Sequence, residues 1–427
     1  MAANRRTEKK YLLIVSLDAV SCQDTEKLLS MPFFGDFCKD GTLVGQVDSV
    51  FVTNTYPVHA TVVTGCHPYR HGVTENTRPS PGDRNPDWYW HAKHIKVPTL
   101  YTRAADSCCS TASILWPTTA GAGIKYNVPE IAVNRWWKNQ IAVSLRNGSP
   151  LLQLGYALKY GRERKGLSQP QLDDFSCSVL CDIIKRKKPN LSMIHFTDVD
   201  THKHHYGIDS LRTSEALKRL DARLGRLFSA LSDAGLREQC HILLFGDHSM
   251  LEVNKSIHFN RAFEKKGLLK LDGKGRIKSW RAWLKCCGGT AFLYLKDKND
   301  GEALSAVREY LLEALEDPDG GVARFLDEDE MKLSGLYADC PLGVEAARGY
   351  EFNEFEETYK ANHGYSLKQK DYDVFYAAAG SLINKGARLT GGSLADIAPL
   401  ALRLLDLPGW AMDGELKKGI LKNENTE

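Results

Sequence analysis

No apolar run in the chain approaches the roughly 18 residues that a bilayer span requires, so neither a membrane-spanning role nor a membrane partner is expected. Charge of one sign is also scarce. A net charge of +3 over 427 residues, with no dense basic stripe, gives no footprint for a nucleic-acid polymer. There is no internal repeat and no low-complexity segment. The eleven cysteines contain no CxxC pair and form no disulfide-like framework. The opening MAANRRTEKK-YLLIVSL has the outline of a secretory signal. Its apolar stretch, however, ends at Asp18 after seven residues, and no small-residue cleavage site follows. These absences together lead to the expectation of a cytoplasmic protein.

With 43% apolar and 26% charged residues, the composition is that of an ordinary globular chain. Short apolar strands alternate with helical patterns. Tyr11–Leu17, Leu191–Phe196, His241–Phe245 and Val374–Ala378 read as strands. Leu172–Ile184, Ser210–Ala234, Gly301–Leu315 and Ser393–Leu405 read as helices, the last capped by Ser393. The alternation predicts an α/β fold, a mostly parallel central sheet with helices on both faces. A single catalytic domain over 1–427 is expected, with cap or excursion segments at about 77–165 and 251–289. The first of these contains TRPSPGDRNPDWYW, whose Pro, Gly and aromatic content suits a loop walling a pocket.

In such sheets ligands bind beyond the carboxyl ends of the strands. The residues at those ends are Asp18, Asp198, Asp200 and Asp247-His248. Asp200 and His204 are four apart, a spacing that brings both to one face of a helical turn. Polar groups closing an apolar strand such as HILLFGDH are costly unless something binds them. Each taken alone is also compatible with a solvated loop or a helix cap. With His363 of NHGYS, the residues Asp18, Asp200, Asp247, His204, His248 and His363 make three aspartates and three histidines, donors that suit Zn²⁺ and also Mn²⁺ or other divalent ions. In NTYPVHATVVTG, Pro57 fits a first helical turn and Gly65 a helix end. Thr55 then lies at the helix start, where it or Asn54 serves as a simple cap or where free amides and the dipole receive an anion. A threonine hydroxyl becomes a nucleophile only when a base or metal lowers its pKa.

Six segments carry a resemblance in order along the chain: LLIVSLDAV, NTYPVHATVVTGCHPYRHGVTEN, FTDVDTHKHHYG, LLFGDHSM, NHGYS and SLADIAPLALRLL. Together they resemble the alkaline phosphatase superfamily, in its nucleotide pyrophosphatase/phosphodiesterase branch. The resemblance implies two zinc ions, one on Asp200, His204 and His363 and one on Asp18, Asp247 and His248. It further implies Thr55 as a nucleophile forming a covalent phosphothreonine, and Asn76 as a donor to a phosphate oxygen beside the Thr55 N–H. The substrate would be a small phosphate ester, a phosphodiester or pyrophosphate, with nucleotides included. His202, His205 and Asp198 fall outside the implied ligand set. The sequence departs from nucleotide-cleaving members after Asn76, where the family's base-stacking stretch is replaced by TRPSPGDRNPDWYW, and Trp88, Tyr89 and Trp90 are candidates either for stacking on a base or for packing. A phosphonoacetate-hydrolase-like or monoesterase activity, and a binding protein on an inactive scaffold, are the alternatives on the same frame.

Overall fold

A computed structural model describes residues 9–83, 85–272, 276–354 and 359–422. The central sheet has eight strands: β1 (Tyr11–Leu17), β2 (Gly41–Val47), β3 (Thr111–Ile114), β4 (Tyr126–Val128), β5 (Leu191–Phe196), β6 (Cys240–Gly246), β7 (Val374–Ala379) and β8 (Ala387–Thr390). Their spatial order is β8-β2-β7-β6-β1-β5-β3-β4. All pairings are parallel except those of β7, which runs against both β2 and β6. β1 sits at the middle, with Leu17 level with both Phe196 and Gly246. Every residue of β1, β5, β6 and β7 is buried, as expected for strands covered on both faces.

Five helices matter for the site: α1 (Thr55–Thr64), α2 (Gln171–Lys187), α3 (Asp198–Tyr206), α4 (Leu211–Asp233) and α5 (Ile397–Leu405). α2 and α4 cover one face of the sheet, where Leu180, Leu217, Leu220 and Leu224 pack on Leu13 and Val15. α1 and α5 cover the other, where Val58, Val62, Leu400 and Leu404 pack on Leu12 and Ile14. The helical stripes read from the sequence are these faces. Ser393 caps as expected, accepting from the Ala395 N–H at 3.2 Å, although the first turn after it is a tighter one over Leu394–Asp396.

Between β6 and β7 the chain builds a second unit. A four-stranded antiparallel sheet of Ala282–Cys286, Thr290–Leu295, Gly343–Ala346 and Val322–Phe325 packs against the helices Phe259–Lys265 and Gly301–Glu316. Its core, around Phe263, Leu293, Val307 and Leu311, is separate from those of the main sheet. The segment 251–289 opens this unit, and the chain stays in it until Tyr372. Of the segment 77–165, the stretches Thr111–Ile114 and Tyr126–Val128 belong to the central sheet as β3 and β4. The remainder includes the helices Gln140–Asn147 and Pro150–Tyr160. No helix among the described residues is long and apolar enough to cross a membrane.

Candidate active site and metal centre

The site lies at the carboxyl ends of β1, β5 and β6. Asp18 follows β1, and Asp247-His248 follows β6. Two turns bring these loops together: at Gly246 any Cβ would meet the Val20 carbonyl oxygen at 1.7 Å, so only glycine lets the β1 loop rest there. α3 starts just after β5, with Asp200 and His204 one turn apart and His204 Nε2 3.3 Å from Asp200 Oδ1. His363 arrives from the second unit. The following Gly364 has φ 84° and sits where a Cβ would meet the Cys287 carbonyl oxygen at 1.7 Å, so this close turn also requires glycine.

The three histidines share one arrangement. His204 Nδ1 donates to the Ala361 carbonyl at 2.9 Å, and His363 Nδ1 to Asn54 Oδ1 at 2.7 Å. His248 Nδ1 lies 3.4 Å from the Ser249 carbonyl. In each case Nε2 is left to face the cluster. His248 Nε2 stands 3.3 Å from Asp18 Oδ1, 3.5 Å from Asp247 Oδ2 and 3.3 Å from Thr55 Oγ1. The carboxylates are divided in the same way. Asp247 Oδ1 accepts from the Ala19 and His248 N–H groups at 2.9 and 2.8 Å, and Asp18 Oδ2 accepts from His195 at 3.0 Å. The opposing oxygens Asp18 Oδ1, Asp247 Oδ2 and Asp200 Oδ1 are buried and accept no hydrogen bond from the described residues. Buried carboxylate oxygens without donors are costly. Aimed together with imidazole Nε2 atoms at a common space, they have the chemistry of divalent-cation ligands, with the Nδ1 partners fixing each ring.

Donor atoms of Asp18, Asp247 and His248 lie within 4.8 Å of one another, as do those of Asp200, His248 and His363. His248 thus touches both groups, its ring stacked on that of His363 at 3.9 Å. His204 joins the second group through Asp200 rather than as a member of the tight triad. A third group, His59, His195 and Asp247, lies just beneath. There, however, His59 Nδ1 is spent on the Thr55 carbonyl at 2.7 Å and Nε2 on Ser16 at 2.8 Å, while both nitrogens of His195 face carboxylates.

The electrostatics follow from burial and crowding. Burial pushes the Asp247 carboxyl up to about 7, and the Asp18 charge adds to that push. Burial pulls His248 down, but Asp247 and Asp18 outweigh it and lift it to about 9. Asp18 is held well below the usual carboxylate range because His195 and His248 overcome its burial. His195 is raised well above its ordinary value: burial opposes this, but the carboxylates of Asp18 and Glu130 prevail. His363 is lowered by burial and by the neighbouring His248 and His204. The cluster is largely buried and its carboxylates crowd one another, conditions that a bound cation relieves.

Thr55 is the first residue of α1, and Asn54 precedes it in extended geometry with no side-chain cap bond. The Asn54 amide instead donates to Glu75 Oε1 at 2.8 Å while its oxygen holds His363. Asn76 Oδ1 accepts from the Tyr56 N–H at 2.9 Å, which brings that amide beside the start of α1. Its amide nitrogen has no partner among the described residues. Of the three aromatics after Asn76, Trp90 is buried against Tyr56 and Val73, while Trp88 and Tyr89 are half-buried. Trp88 meets Tyr56 edge-on at 5.3 Å. His202 and His205 turn their Nδ1 atoms to the Asp198 and Thr201 carbonyls at 2.7 Å each, away from the cluster. Asp198 is held by Arg219 and Arg223, both at 2.8 Å. Sequence reasoning missed Glu75, Glu130, His59 and His195. The available signal was a lone polar residue inside an apolar strand, as in LSMIHF, or on an otherwise apolar helix face.

A family model described as type I phosphodiesterase / nucleotide pyrophosphatase matches residues 12–366. The chain belongs to this family. Bis(5′-adenosyl)-triphosphatase ENPP4 of Bos taurus is 24% identical over 415 residues, covering 93% of this chain and 78% of that one. Human ectonucleotide pyrophosphatase/phosphodiesterase family member 5 is 23% identical over 248 residues, 58% of this chain and 46% of that one. Among solved structures, murine ectonucleotide pyrophosphatase/phosphodiesterase 5, an inactive threonine-to-alanine variant in complex with AMP, superposes with a TM-score of 0.70 at 19% identity, covering 97% of this chain and 100% of that one. The family's chemistry makes the chain a phosphate-ester hydrolase, acting on phosphodiester or pyrophosphate bonds, and the superposition bears out the expected fold. One expectation is overturned. Relatives named as ectonucleotide enzymes contradict the cytoplasmic assignment. That assignment rested on a short apolar start and unpatterned cysteines, neither of which bears on the family.

Proposed function

We propose that this hydrolase cleaves phosphodiester or pyrophosphate bonds of nucleotide-like substrates through a covalent intermediate on Thr55, with two divalent metal ions in the site. The observation that carries this reading is the position of Thr55 Oγ1, on the first residue of α1 and 3.3 Å from His248 Nε2, beside carboxylate oxygens that accept no hydrogen bond from the described residues. Asp200, His204 and His363 would hold one ion and Asp18, Asp247 and His248 the other, with zinc as the first choice for this donor set. Such ions supply Lewis-acid stabilisation to the attacking and leaving oxygens.

The chain's own residues do the rest. Thr55 Oγ1 attacks phosphorus, a P–O bond to Thr55 forms, and the bond to the leaving oxygen breaks. The unpaired Asn76 amide nitrogen and the Thr55 N–H at the start of α1 donate to a non-bridging oxygen as its charge grows. Water then cleaves the phosphothreonine and restores the hydroxyl. The relatives support a nucleotide-like substrate: one is a bis(5′-adenosyl)-triphosphatase, and the solved neighbour holds AMP. That neighbour is inactive with threonine replaced by alanine, which supports the role given to Thr55.

The test compares zinc-loaded wild type with Thr55→Ala on bis(p-nitrophenyl) phosphate and p-nitrophenyl phosphate. The expected result is faster cleavage of the diester, and at least a ~1,000-fold loss in the variant with metal content unchanged. Near-normal turnover by folded Thr55→Ala would remove the nucleophile assignment. A preference for the monoester would move the reading to a monoesterase or phosphonate hydrolase on the same metal site.

A further inference from the structure

The helices Gln140–Asn147 and Pro150–Tyr160 form a hairpin outside β4 that has no part in the site described above. Its outer face is apolar and uncovered. Leu151 and Leu158 are 85% and 90% exposed, and Trp136, in the segment leading into the hairpin, is 93% exposed. Leu151, Leu154 and Leu158 fall at helical spacing along one stripe of the second helix, and all three are exposed. A stripe of this kind ordinarily faces a core. Here it faces outward.

The charge around it is one-sided. Between residues 132 and 167 there are seven basic side chains and a single acidic one, Glu163. Arg135 and Lys159 are paired with Asp83 and Asp182. Lys138, Arg146, Arg162 and Lys165 are exposed and enter no ion pair among the described residues. Beneath the hairpin a cavity of about 490 Å³ opens between it and α2, and Leu154 and Leu167 line it while remaining exposed. The apolar surface therefore runs from the rim into the interior.

We propose that this hairpin is a docking surface for an anionic lipid bilayer, lying in the interface with the leucine stripe and Trp136 among the acyl chains and the basic side chains at the headgroups. Exposed Trp and Leu with exposed Lys and Arg in the same stretch is the pattern of interfacial helices, which need no spanning run. Charge complementarity favours lipid over a second copy of the chain. An isologous dimer through this face would set the basic groups against their own copies, whereas an anionic leaflet neutralises them. A cavity continuous with the stripe also suits chains that bend into it better than a rigid protein face.

The test is cosedimentation of the full chain with phosphatidylcholine vesicles, with and without phosphatidylglycerol. Wild type should pellet with the anionic vesicles only, and less so as salt screens the contact. Leu151→Glu with Leu158→Glu should weaken retention by roughly tenfold or more with an unchanged melting temperature, because both side chains are already exposed. Lys138→Glu with Lys165→Glu should weaken it through charge alone. The proposal is overturned if wild type ignores anionic vesicles or if both double variants bind as well as wild type. It is equally overturned if sedimentation equilibrium finds a dimer that the leucine substitutions split, which would give this face to a second copy.

Discussion

Asn54 uses both ends of its amide, and that sets the state of His363. Its nitrogen donates to Glu75 Oε1 at 2.8 Å, so its oxygen must accept, and the partner 2.7 Å away is His363 Nδ1. The imidazole proton is thereby fixed on Nδ1 and the Nε2 lone pair turned to the cluster. Sequence reading treated this residue as no more than a candidate helix cap. The N-cap backbone geometry is there, but the side chain is committed elsewhere, because the stronger claim on it comes from a residue 309 positions away. No local pattern carries that information. Asn54→Ala should leave the fold intact and weaken metal retention by about 10–100-fold, measured by competition with a chromophoric chelator. Unchanged retention would mean that the ring is held by its 3.1 Å contact to the Thr53 carbonyl alone.

At the scale of elements, the apolar strands and amphipathic helices were the legible part. β1 and β5 have the bounds read from their residues, and α2 and α4 agree within a few positions, since burial on both faces or on one stripe writes itself into hydrophobic periodicity. The second unit was not legible as a unit. The helix Gly301–Glu316 was visible, but its periodicity says nothing about which sheet it covers. The turn that follows α1 is another element whose chemistry shows only in three dimensions. His71 is buried there, with Nδ1 accepting from the Val73 N–H at 3.1 Å and Nε2 3.0 Å from Thr61 Oγ1, a pattern that only the neutral ring satisfies. Burial, with the nearby His67, pulls its pKa down to about 3. The unfolded chain titrates near 6.5. Between those values the unfolded state binds the extra proton, so stability falls as pH drops through 6.5, by up to ~1.4 kcal/mol per pH unit, and this loss ceases only near the folded value. Wild type should therefore lose more stability than His71→Asn between pH 7 and 5 in parallel urea titrations. Equal slopes would show that His71 is charged in the folded protein.

At the scale of the molecule, the proposed metal site joins the two units. Five of the six candidate ligands come from the carboxyl end of the main sheet or from α3, and His363 comes from the second unit. The junction beside it is polar and buried: Lys285 of the smaller sheet lies 3.2 Å from Glu75, which holds Asn54, which holds His363. A cation drawn to the cluster would bind one unit through Asp200 and His248 and the other through His363, so its binding energy should appear as cohesion between them. Ligand that binds only the folded state adds about 2.7 kcal/mol at a free concentration about 100 times its Kd. Chelation should accordingly lower the melting temperature, and zinc should restore it. It should also speed proteolysis in the stretch 359–366, where the second unit meets the main sheet. His363→Ala should show a much smaller response to chelator than wild type, because the remaining ligands lie on one unit only. If wild type and His363→Ala respond alike, the ions are held by the main sheet alone and the second unit shapes the site without closing it. A response confined to wild type would mean that the insertion between β6 and β7 takes its place on the sheet partly through the metal site it helps to build.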